Sequence, residues 1–296
     1  MKRNRWLLIC FGLGILTACA GSPPRTNSPV DLDAEGRGQG RSGGPADSAP
    51  HSSVESLPER DLEKPAVEKK PLSKTELDLL SQAVRAGDWK QLEKRAQVIL
   101  MKNPREPKAL NSLGLASFRL SRPKVALYFF SKAMKSASPE EKGMLLNNMG
   151  LVHLQMGDEA LALKDFREAL QSFSGDVVSA ANLGSLYLRM GDPGKALIAF
   201  DLAGARFSQD SKFLNNYGAA LARERRYPEA EKKYRSALAI SPASRETQLN
   251  LSILYIQHLK KPAEGREALS KFKFLGVPPE LREMTNELEN KLKSLK

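Results

Sequence analysis

The sequence is poor in the residues on which disulfide scaffolds, zinc sites and β-rich domains depend. Its 296 residues include only two cysteines and three histidines, too few for a disulfide framework or a Cys/His zinc site. Aromatic residues make up 6% of the chain, which favours helices built on Ala and Leu over a β-rich domain. A formal net charge of +12 suggests nucleic acid, an anionic membrane surface or an acidic protein as ligands.

A short apolar run stands at the start of the chain, behind basic residues at three of the first five positions. The run covers residues 6–16 and is shorter than the ~20 residues that a spanning helix needs, so it predicts a signal peptide over 1–18. The segment Leu16–Cys19 resembles the bacterial lipobox, in which cleavage precedes a cysteine whose thiol receives lipid. This resemblance implies that Cys19 carries fatty acyl chains such as palmitate, which would anchor the chain stably. Because Ala20 rather than Asp follows, it also implies the outer membrane of a Gram-negative bacterium, with the protein facing the periplasm.

Residues 19–72 are expected to be the lipidated cysteine and a disordered linker. The stretch 20–72 contains six Gly, eight Pro and seven Ser but no Phe, Trp or Tyr. Such a composition buries too little apolar area to offset the entropy of the chain. Flexible-chain scaling gives a root-mean-square reach of roughly 40 Å, so the linker is predicted to be a spacer between the membrane and a folded domain.

A period of 34 residues runs through 73–278 and is the strongest pattern in the sequence. A glycine recurs, an alanine follows it by twelve residues, an aromatic residue comes four later and a small residue three after that. Gly and Ala at a helix crossing let two backbones approach closely, and the aromatic ring fills the space beside them. The four sets are Gly114, Ala126, Phe130 and Ala133; Gly150, Ala162, Phe166 and Ala169; Gly184, Ala196, Phe200 and Ala203; and Gly218, Ala230, Tyr234 and Ala237.

This pattern resembles the tetratricopeptide repeat (TPR), a pair of antiparallel helices in 34 residues. The resemblance implies an all-α solenoid of about five to six helix-turn-helix repeats. Stacking is obligatory in such a fold, because one helix pair cannot bury its apolar face alone. Well-matched repeats are predicted at 107–142, 143–176, 177–210 and 211–244, with a degenerate repeat at 73–106.

The pattern breaks in the repeat that begins at residue 245. Ala268 and Phe272 stand four residues later than the period requires, which predicts an insertion around Lys260–Pro262. The solenoid is expected to end at residue 278. A charged helix over 279–296 is then expected to cap it, because terminal repeats need a polar outer face.

The resemblance also implies a concave groove lined by one stripe of the first helix of each repeat. Asn recurs two residues before the glycine and again three before it, and Arg recurs five residues after it. An Asn amide offers donors and an acceptor that match a peptide group, and Arg attracts carboxylates. The candidate partner-binding residues are Asn148, Asn182, Asn216 and Asn250, then Asn111, Asn147 and Asn215, and lastly Arg119, Arg189 and Arg223.

The predicted ligand of this groove is an extended or helical segment of a protein partner, partly apolar and acidic. An alternative is that Asn belongs to the consensus of the repeat and marks no ligand. The basic runs at 223–226 and 232–235 could face lipid phosphate or an acidic protein, but such runs are more often a solvated edge.

The sequence offers little for catalysis. His153 stands at a packing position, and His258 has no second ligand at metal spacing, while Asp165 and Glu168 are expected on solvated outer faces of a helix. No nucleophile elbow, phosphate loop or zinc-helix motif is present. We therefore expect no enzyme activity, no cofactor, no metal and no small-molecule substrate. Nucleic acid is not expected either, because the basic charge belongs to an exported protein.

The order of lipobox, linker and repeats is similar to that of the pilotins of type IV pilus systems, lipoproteins with about six such repeats. The resemblance implies a protein-protein interaction scaffold that helps a secretin ring to assemble. Two alternatives stay open. One is an adaptor that recruits proteases or peptidoglycan enzymes, and the other is a structural subunit of an envelope-spanning motility or secretion machine.

Overall fold

The computed structural model describes residues 72–295. The predicted signal peptide, Cys19 and the linker up to residue 71 lie outside the described residues. Within the described range all regular secondary structure is helical, which confirms the predicted all-α fold. The helices are α1 (Lys74–Ala86), α2 (Trp89–Lys102), α3 (Pro107–Arg119), α4 (Pro123–Met134), α5 (Pro139–Gln155), α6 (Glu159–Ser172), α7 (Val177–Met190), α8 (Pro193–Ala203), α9 (Ser211–Arg223), α10 (Tyr227–Ile240), α11 (Arg245–Ile253), α12 (Pro262–Phe274) and α13 (Arg282–Ser294).

Twelve of these helices form six antiparallel pairs, in which an odd-numbered helix A is followed by an even-numbered helix B. Local sequence signals fix the helix ends. A capping box joins Ser138 to Glu141 at the start of α5, with Pro139 in its first turn, and such caps satisfy the free N–H groups of a helix start. From α3 to α11 the A helices of neighbouring repeats contact each other, and each B helix also packs against the next A helix. The pairs therefore stack in chain order into a solenoid.

The two helices of each regular pair approach most closely where glycine faces an aromatic ring. A Cβ atom built on Gly184 would lie 2.7 Å from the ring of Phe200, closer than real Cβ contacts come. The four rings at these crossings are fully buried, so they leave no room for a side chain opposite. The corresponding distances are 2.3 Å for Gly114 and Phe130, 2.6 Å for Gly150 and Phe166, and 2.8 Å for Gly218 and Tyr234.

The last helix pair departs from this plan, but at a different place from the one predicted. The turn around Lys260–Pro262 is as short as the other A-to-B turns, so the insertion expected there is wrong. Instead the end of α11 widens into a π-helical turn, Leu254–Leu259, which takes up one extra residue. When this extra residue is included in the spacing, Gly265 stands where helix A and helix B cross. A Cβ atom added to it would lie 2.7 Å from the side chain of Ile256. Ala268 then lies one turn further along α12.

Helix α13 follows a short 3-10 turn, Pro279–Leu281, and packs against α12 and the π-helical turn. Its Leu288 and Leu292 are buried in the main core, while its other residues are mostly polar and exposed. The helix therefore covers the apolar end of the last pair. Among the described residues, no helix has the length and apolarity that a bilayer crossing requires.

Candidate partner-binding surface

Asparagine side chains of neighbouring A helices pair with one another across the repeat boundaries. The Nδ2 of Asn148 on α5 donates to the Oδ1 of Asn111 on α3 at 2.9 Å. We call the seven asparagines on these helices the amide row, and its members are Asn111, Asn147, Asn148, Asn182, Asn215, Asn216 and Asn250. Two more bonds of the same kind run from Asn182 to Asn147 at 2.8 Å and from Asn250 to Asn215 at 3.0 Å.

One boundary has a different bond because α7 lacks the second asparagine. Ala181 stands where the other repeats supply an acceptor amide. Asn216 on α9 donates instead to the Oγ of Ser185, at 3.3 Å, one turn further along α7. The amide row thus links α3, α5, α7, α9 and α11 by one side-chain hydrogen bond at each boundary, and it contributes to repeat stacking.

Burial divides the amide row into two groups. Asn147, Asn182 and Asn250 are 1%, 2% and 0% exposed, and Asn215 is 6% exposed. These four side chains lie between the A helices and present almost no surface, so the expectation that the whole row lines an open groove needs correction. Its surface-accessible members are half-buried, namely Asn111, Asn148 and Asn216.

The Asn111–Asn148 pair keeps hydrogen-bonding capacity at the surface. Each amide carries an N–H₂ donor and a carbonyl acceptor, and the bond between them uses one donor and one acceptor. Asn111 therefore keeps its own N–H₂ group and Asn148 its carbonyl oxygen, side by side on adjacent helices. If both amides were turned over, the pair would still present one donor group and one acceptor. A peptide group offers the complementary acceptor and donor.

The three predicted arginines have partners within the protein. The guanidinium of Arg119 lies 5.1 Å from the ring centroid of Trp89, and partial burial lowers its pKa. Arg189 forms an ion pair with Glu159 at 3.0 Å. Arg223 donates to the main-chain oxygen of Leu188 at the end of α7, which also accepts from the N–H of Gly191.

Two exposed methionines next to the predicted arginine positions were not predicted from the sequence. Met156 and Met190 are 45% and 49% exposed, and each follows directly after the Arg/Gln position of its repeat. The signal was present, since methionine stands six residues after Gly150 and again after Gly184. Flexible, polarisable thioethers suit an adaptable contact surface.

The structure also corrects the expectation that Asp165 lies on a solvated outer face of its helix. It is 6% exposed and its Oδ2 lies 2.6 Å from the Nδ1 of His153 on the facing helix. Burial raises the pKa of Asp165, and the hydrogen bond with His153 opposes that rise. The prediction of a solvated outer position for Asp165 is therefore wrong, whereas the side chain of Glu168 is 44% exposed and pairs with Lys164 at 3.8 Å. The His153–Asp165 pair joins α5 to α6. Between residues 72 and 295, no cluster of three or more possible metal ligands occurs.

Comparison with known proteins identifies the repeat. The family model described as tetratricopeptide repeat matches residues 147–210 and 181–245. The fold of the described residues is a TPR solenoid. One helix pair with the same Gly-aromatic crossing, α3 and α4, extends the TPR pattern on the N-terminal side of the matched residues. No curated protein sequence matches the chain.

Solved TPR structures share the fold at low sequence identity. The structure of PilF from Pseudomonas aeruginosa is 20% identical, with a TM-score of 0.63, over 72% of this chain and 96% of that one. YrrB, described as a TPR protein with an unusual peptide-binding site, is 17% identical with a TM-score of 0.56, over 65% and 97% of the two chains. A double mutant of MamA is 16% identical with a TM-score of 0.51, over 57% and 93%. The described part of the chain is thus a TPR scaffold of the kind suited to protein-protein interaction.

Proposed function

We propose that this chain is a lipid-anchored periplasmic scaffold that grips a partner segment on the A-helix face of its TPR solenoid and so assists assembly of an envelope complex. The observation that carries the proposal is the Asn111–Asn148 pair, which presents an unused donor group and an unused acceptor side by side. Such a pair can hold one peptide group of an extended segment without reading its side chains. The peptide-binding site named for YrrB is consistent with this use of a TPR fold.

The anchor in this proposal rests on the sequence of the N-terminal region. Cys19 stands at the end of a lipobox-like segment, behind a run that has the composition of a signal peptide. Acylation there would hold the TPR solenoid at the periplasmic side of the outer membrane. The linker of about 50 residues would give the solenoid a reach of roughly 40 Å from that membrane.

The complex we propose is the secretin ring of a type IV pilus. Support comes from the pilotin-like order of lipobox, linker and TPR repeats, together with the shared fold of PilF. A ring in the outer membrane needs its subunits gathered at that membrane. A lipid-anchored scaffold that binds one exposed segment of each subunit would do this by raising their local concentration.

The test is secretin assembly in a host strain that lacks the chain and is complemented with variants. Wild type should restore the fraction of secretin found as multimers on a gel. The Asn111→Ala/Asn148→Ala variant should restore much less, because it removes both unused amide groups. Cys19→Ala should release the protein from the membrane fraction and also impair assembly.

Two exposed amides outside the amide row provide the matched control. Gln171 lies on α6 and Asn286 on α13, so Gln171→Ala/Asn286→Ala should assemble secretin like wild type. Full assembly by the Asn111→Ala/Asn148→Ala variant would rule out the role of this pair. Normal secretin in the deletion strain would rule out the pilus role and favour the protease-adaptor or motility-machine alternative. Unchanged membrane fractionation of Cys19→Ala would rule out the anchor.

A further inference from the structure

The exposed sides of the B helices α2 and α4 carry apolar side chains and lysines in alternation. Residues four and then three positions apart form one stripe along each helix, and the two stripes are one repeat of 34 residues apart. Wherever one stripe has a lysine, the other has an apolar side chain. We call these six exposed residues the outer basic face: Lys94, Val98 and Met101 on α2, and Tyr128, Lys132 and Lys135 on α4 and directly after it.

Contacts at both ends hold α2 and α4 side by side. At their first turns Arg122 forms an ion pair with Glu93 at 2.8 Å. Beyond their last turns the hydroxyl of Ser136 donates to the main-chain oxygen of Arg105 at 2.7 Å. Between these contacts Phe129 of α4 packs against the core of the first repeat. The two helices therefore run in the same direction, and their stripes form one continuous surface.

The outer basic face carries three positive charges and no negative one. Helix α4 has no acidic residue, and the single carboxylate of α2, that of Glu93, is paired with Arg122. The three lysines of the face have no carboxylate partner among the described residues. On α6, by contrast, Glu168 stands where α4 has Lys132. The charge is thus concentrated at the N-terminal end of the solenoid.

This face lies on the outer side of the curved stack. Neighbouring A helices contact each other from α3 to α11, whereas within the described range neighbouring B helices have no contacts of that extent. A stack that is closer on one side curves toward that side, so the A helices line its inner surface. The apolar side chains of the outer basic face stand singly on the outward-curved surface, where Met101 is 76% and Tyr128 60% exposed.

We propose that the outer basic face docks on an anionic lipid surface, with its lysines among the phosphates and its apolar side chains in the interface. Lysines near such a surface are attracted to it, and their stems can lie along apolar groups while the charge stays in water. Tyrosine suits the same depth, because its ring is apolar and its hydroxyl polar. A protein partner buries its anchors in pockets, which single side chains on an outward-curved surface do not provide. A second copy fits poorly, because the lysines of the two copies would meet.

The position of the linker favours the same occupant. The described chain begins at Leu72, and α1 packs against α2, so the linker to Cys19 leaves from the end that carries the outer basic face. The inference rests on the lipid anchor of the proposed function and adds an orientation to it. The first two repeats would lie against the membrane, and the inner surface with the amide row would stay open to a partner.

The test uses the acylated full chain in vesicles of phosphatidylethanolamine and phosphatidylglycerol. Met101→Cys supplies an exposed labelling site, because the other cysteine of the proposed mature chain is acylated. A nitrobenzoxadiazole probe there should shift its emission to the blue and be quenched by a lipid with a nitroxide on its headgroup. Both effects should weaken as salt rises. The same probe on Ile198→Cys, an exposed position of α8, should show neither effect.

Lys94→Gln/Lys132→Gln/Lys135→Gln in the Met101→Cys chain should lower the ratio of docked to undocked protein roughly tenfold or more, because each lysine near the surface contributes to binding. The matched control has the same net charge and removes three exposed lysines of later helices, as Lys212→Gln/Lys232→Gln/Lys291→Gln. It should dock like the parent. Equal losses in the two variants would show attraction by net charge alone and would overturn the face.

The remaining outcomes separate this contact from the anchor and from other occupants. A chain that floats with the vesicles while its Met101→Cys probe stays unquenched would keep the anchor and overturn the contact. A blue shift without quenching would place the linker or a second copy on the face and would overturn it as well. Equal quenching in vesicles of phosphatidylcholine alone would rule out recognition of anionic lipid. A chain that does not float would overturn the anchor, and the docking with it.

Discussion

The regular repeats at 107–244 and the last helix pair at 245–274 solve the same packing problem in different ways. In the regular repeats a glycine lets helix A approach helix B until only an aromatic ring fits between them, as at Gly184 and Phe200. In the last pair Ser252 takes the glycine's place, and the close contact moves to Gly265 on the other helix. The same crossing can recur in every regular repeat because it depends only on how the glycine and the ring fit together. The last pair ends the stack, so its crossing need not be repeated.

A polar network holds the last pair where the regular crossing is missing. The carboxylate of Glu231 on α10 is almost buried, and it accepts bonds from the hydroxyl of Tyr255 at 3.0 Å and from Lys261 at 2.9 Å. Arg235 adds an ion pair at 2.8 Å. Burial raises the pKa of Tyr255 to about 12, and its bond to Glu231 acts in the same direction. Tyr255 lies in the π-helical turn and Lys261 follows two residues after its end, so the network ties the irregular segment to its regular neighbour.

The largest expected effect breaks the regular crossing. Gly184→Val places a branched side chain against the fully buried ring of Phe200, and overpacking of this kind should destabilise the protein by about 3 kcal/mol. Ser252→Ala at the equivalent position of the last pair should change stability by about 0.5 kcal/mol or less. It loses one bond to the main-chain oxygen of Leu249 but gains helix propensity. Urea unfolding of the two variants compares the two regions directly.

Gly194→Val is the matched control for this comparison. Gly194 lies in the first turn of α8 in the same repeat, where an added Cβ would find its nearest neighbour 3.8 Å away. The Gly194→Val variant should therefore unfold at nearly the same urea concentration as wild type. If Gly184→Val also unfolds there, the close approach of the two helices at Gly184 does not determine how they cross. A loss of several kcal/mol in Ser252→Ala would show that the last pair depends on this position as strongly as the regular repeats do.

The fold was predictable because its determinants repeat along the chain. Gly150 and Phe166 stand sixteen residues apart, and so do their counterparts in three other repeats, so contacts within a helix pair could be read from spacing. The end of α11 was not predictable in the same way. A π-helical turn shifts the register by one residue, and the pattern of Ala268 and Phe272 alone suggests a shift of four.

The surface was less predictable, because it depends on how one repeat is rotated against the next. Asn182 and Asn148 occupy the same position of their repeats, yet one is 2% exposed and the other is half-buried. Each donates to the preceding repeat, and this bond depends on the inter-repeat geometry that no period encodes. Asp165 was misplaced for a related reason. Its burial follows from the imidazole of His153 on the facing helix, and helix periodicity alone cannot show such a partner.

The next prediction concerns a smaller change in stability that depends on pH, and it tests whether the polar network stabilises the last pair. Burial acts to raise the pKa of Glu231, but hydrogen bonds from Lys261 and Tyr255 outweigh it and hold the pKa below its ordinary value. The ionised form therefore stabilises the folded state. That stability is complete above the unfolded-state pKa and is lost as pH falls through the folded-state pKa. Glu231→Gln should cost about 1.5 kcal/mol at neutral pH, and the difference from wild type should shrink under acidic conditions.

Thermal unfolding of wild type and Glu231→Gln across a pH series measures this difference. Glu229→Gln is the control, because its carboxylate pairs with Arg226 at the exposed surface and such pairs contribute little. A difference between wild type and Glu231→Gln that grows as pH falls would contradict a stabilising role for the ionised carboxylate. Equal effects of the two substitutions would show that burial of the network adds nothing to the stability of the folded protein.

The smallest expected effect concerns the A-to-B turns. The regular repeats have Ser121, Gly157, Gly191 and Arg225 at the left-handed position, and the last helix pair has Lys260. Left-handed backbone costs a non-glycine residue roughly 1–2 kcal/mol, and the extra flexibility of glycine in the unfolded chain offsets about 0.5–1 of this. Arg225→Gly and Lys260→Gly should therefore each stabilise the protein by about 0.5–1 kcal/mol in urea unfolding. Gly191→Arg should destabilise it by a similar amount. A fall in stability on Arg225→Gly would mean that the arginine is kept for contacts within the fold, whereas a rise would show that this turn gives up stability by using a residue other than glycine.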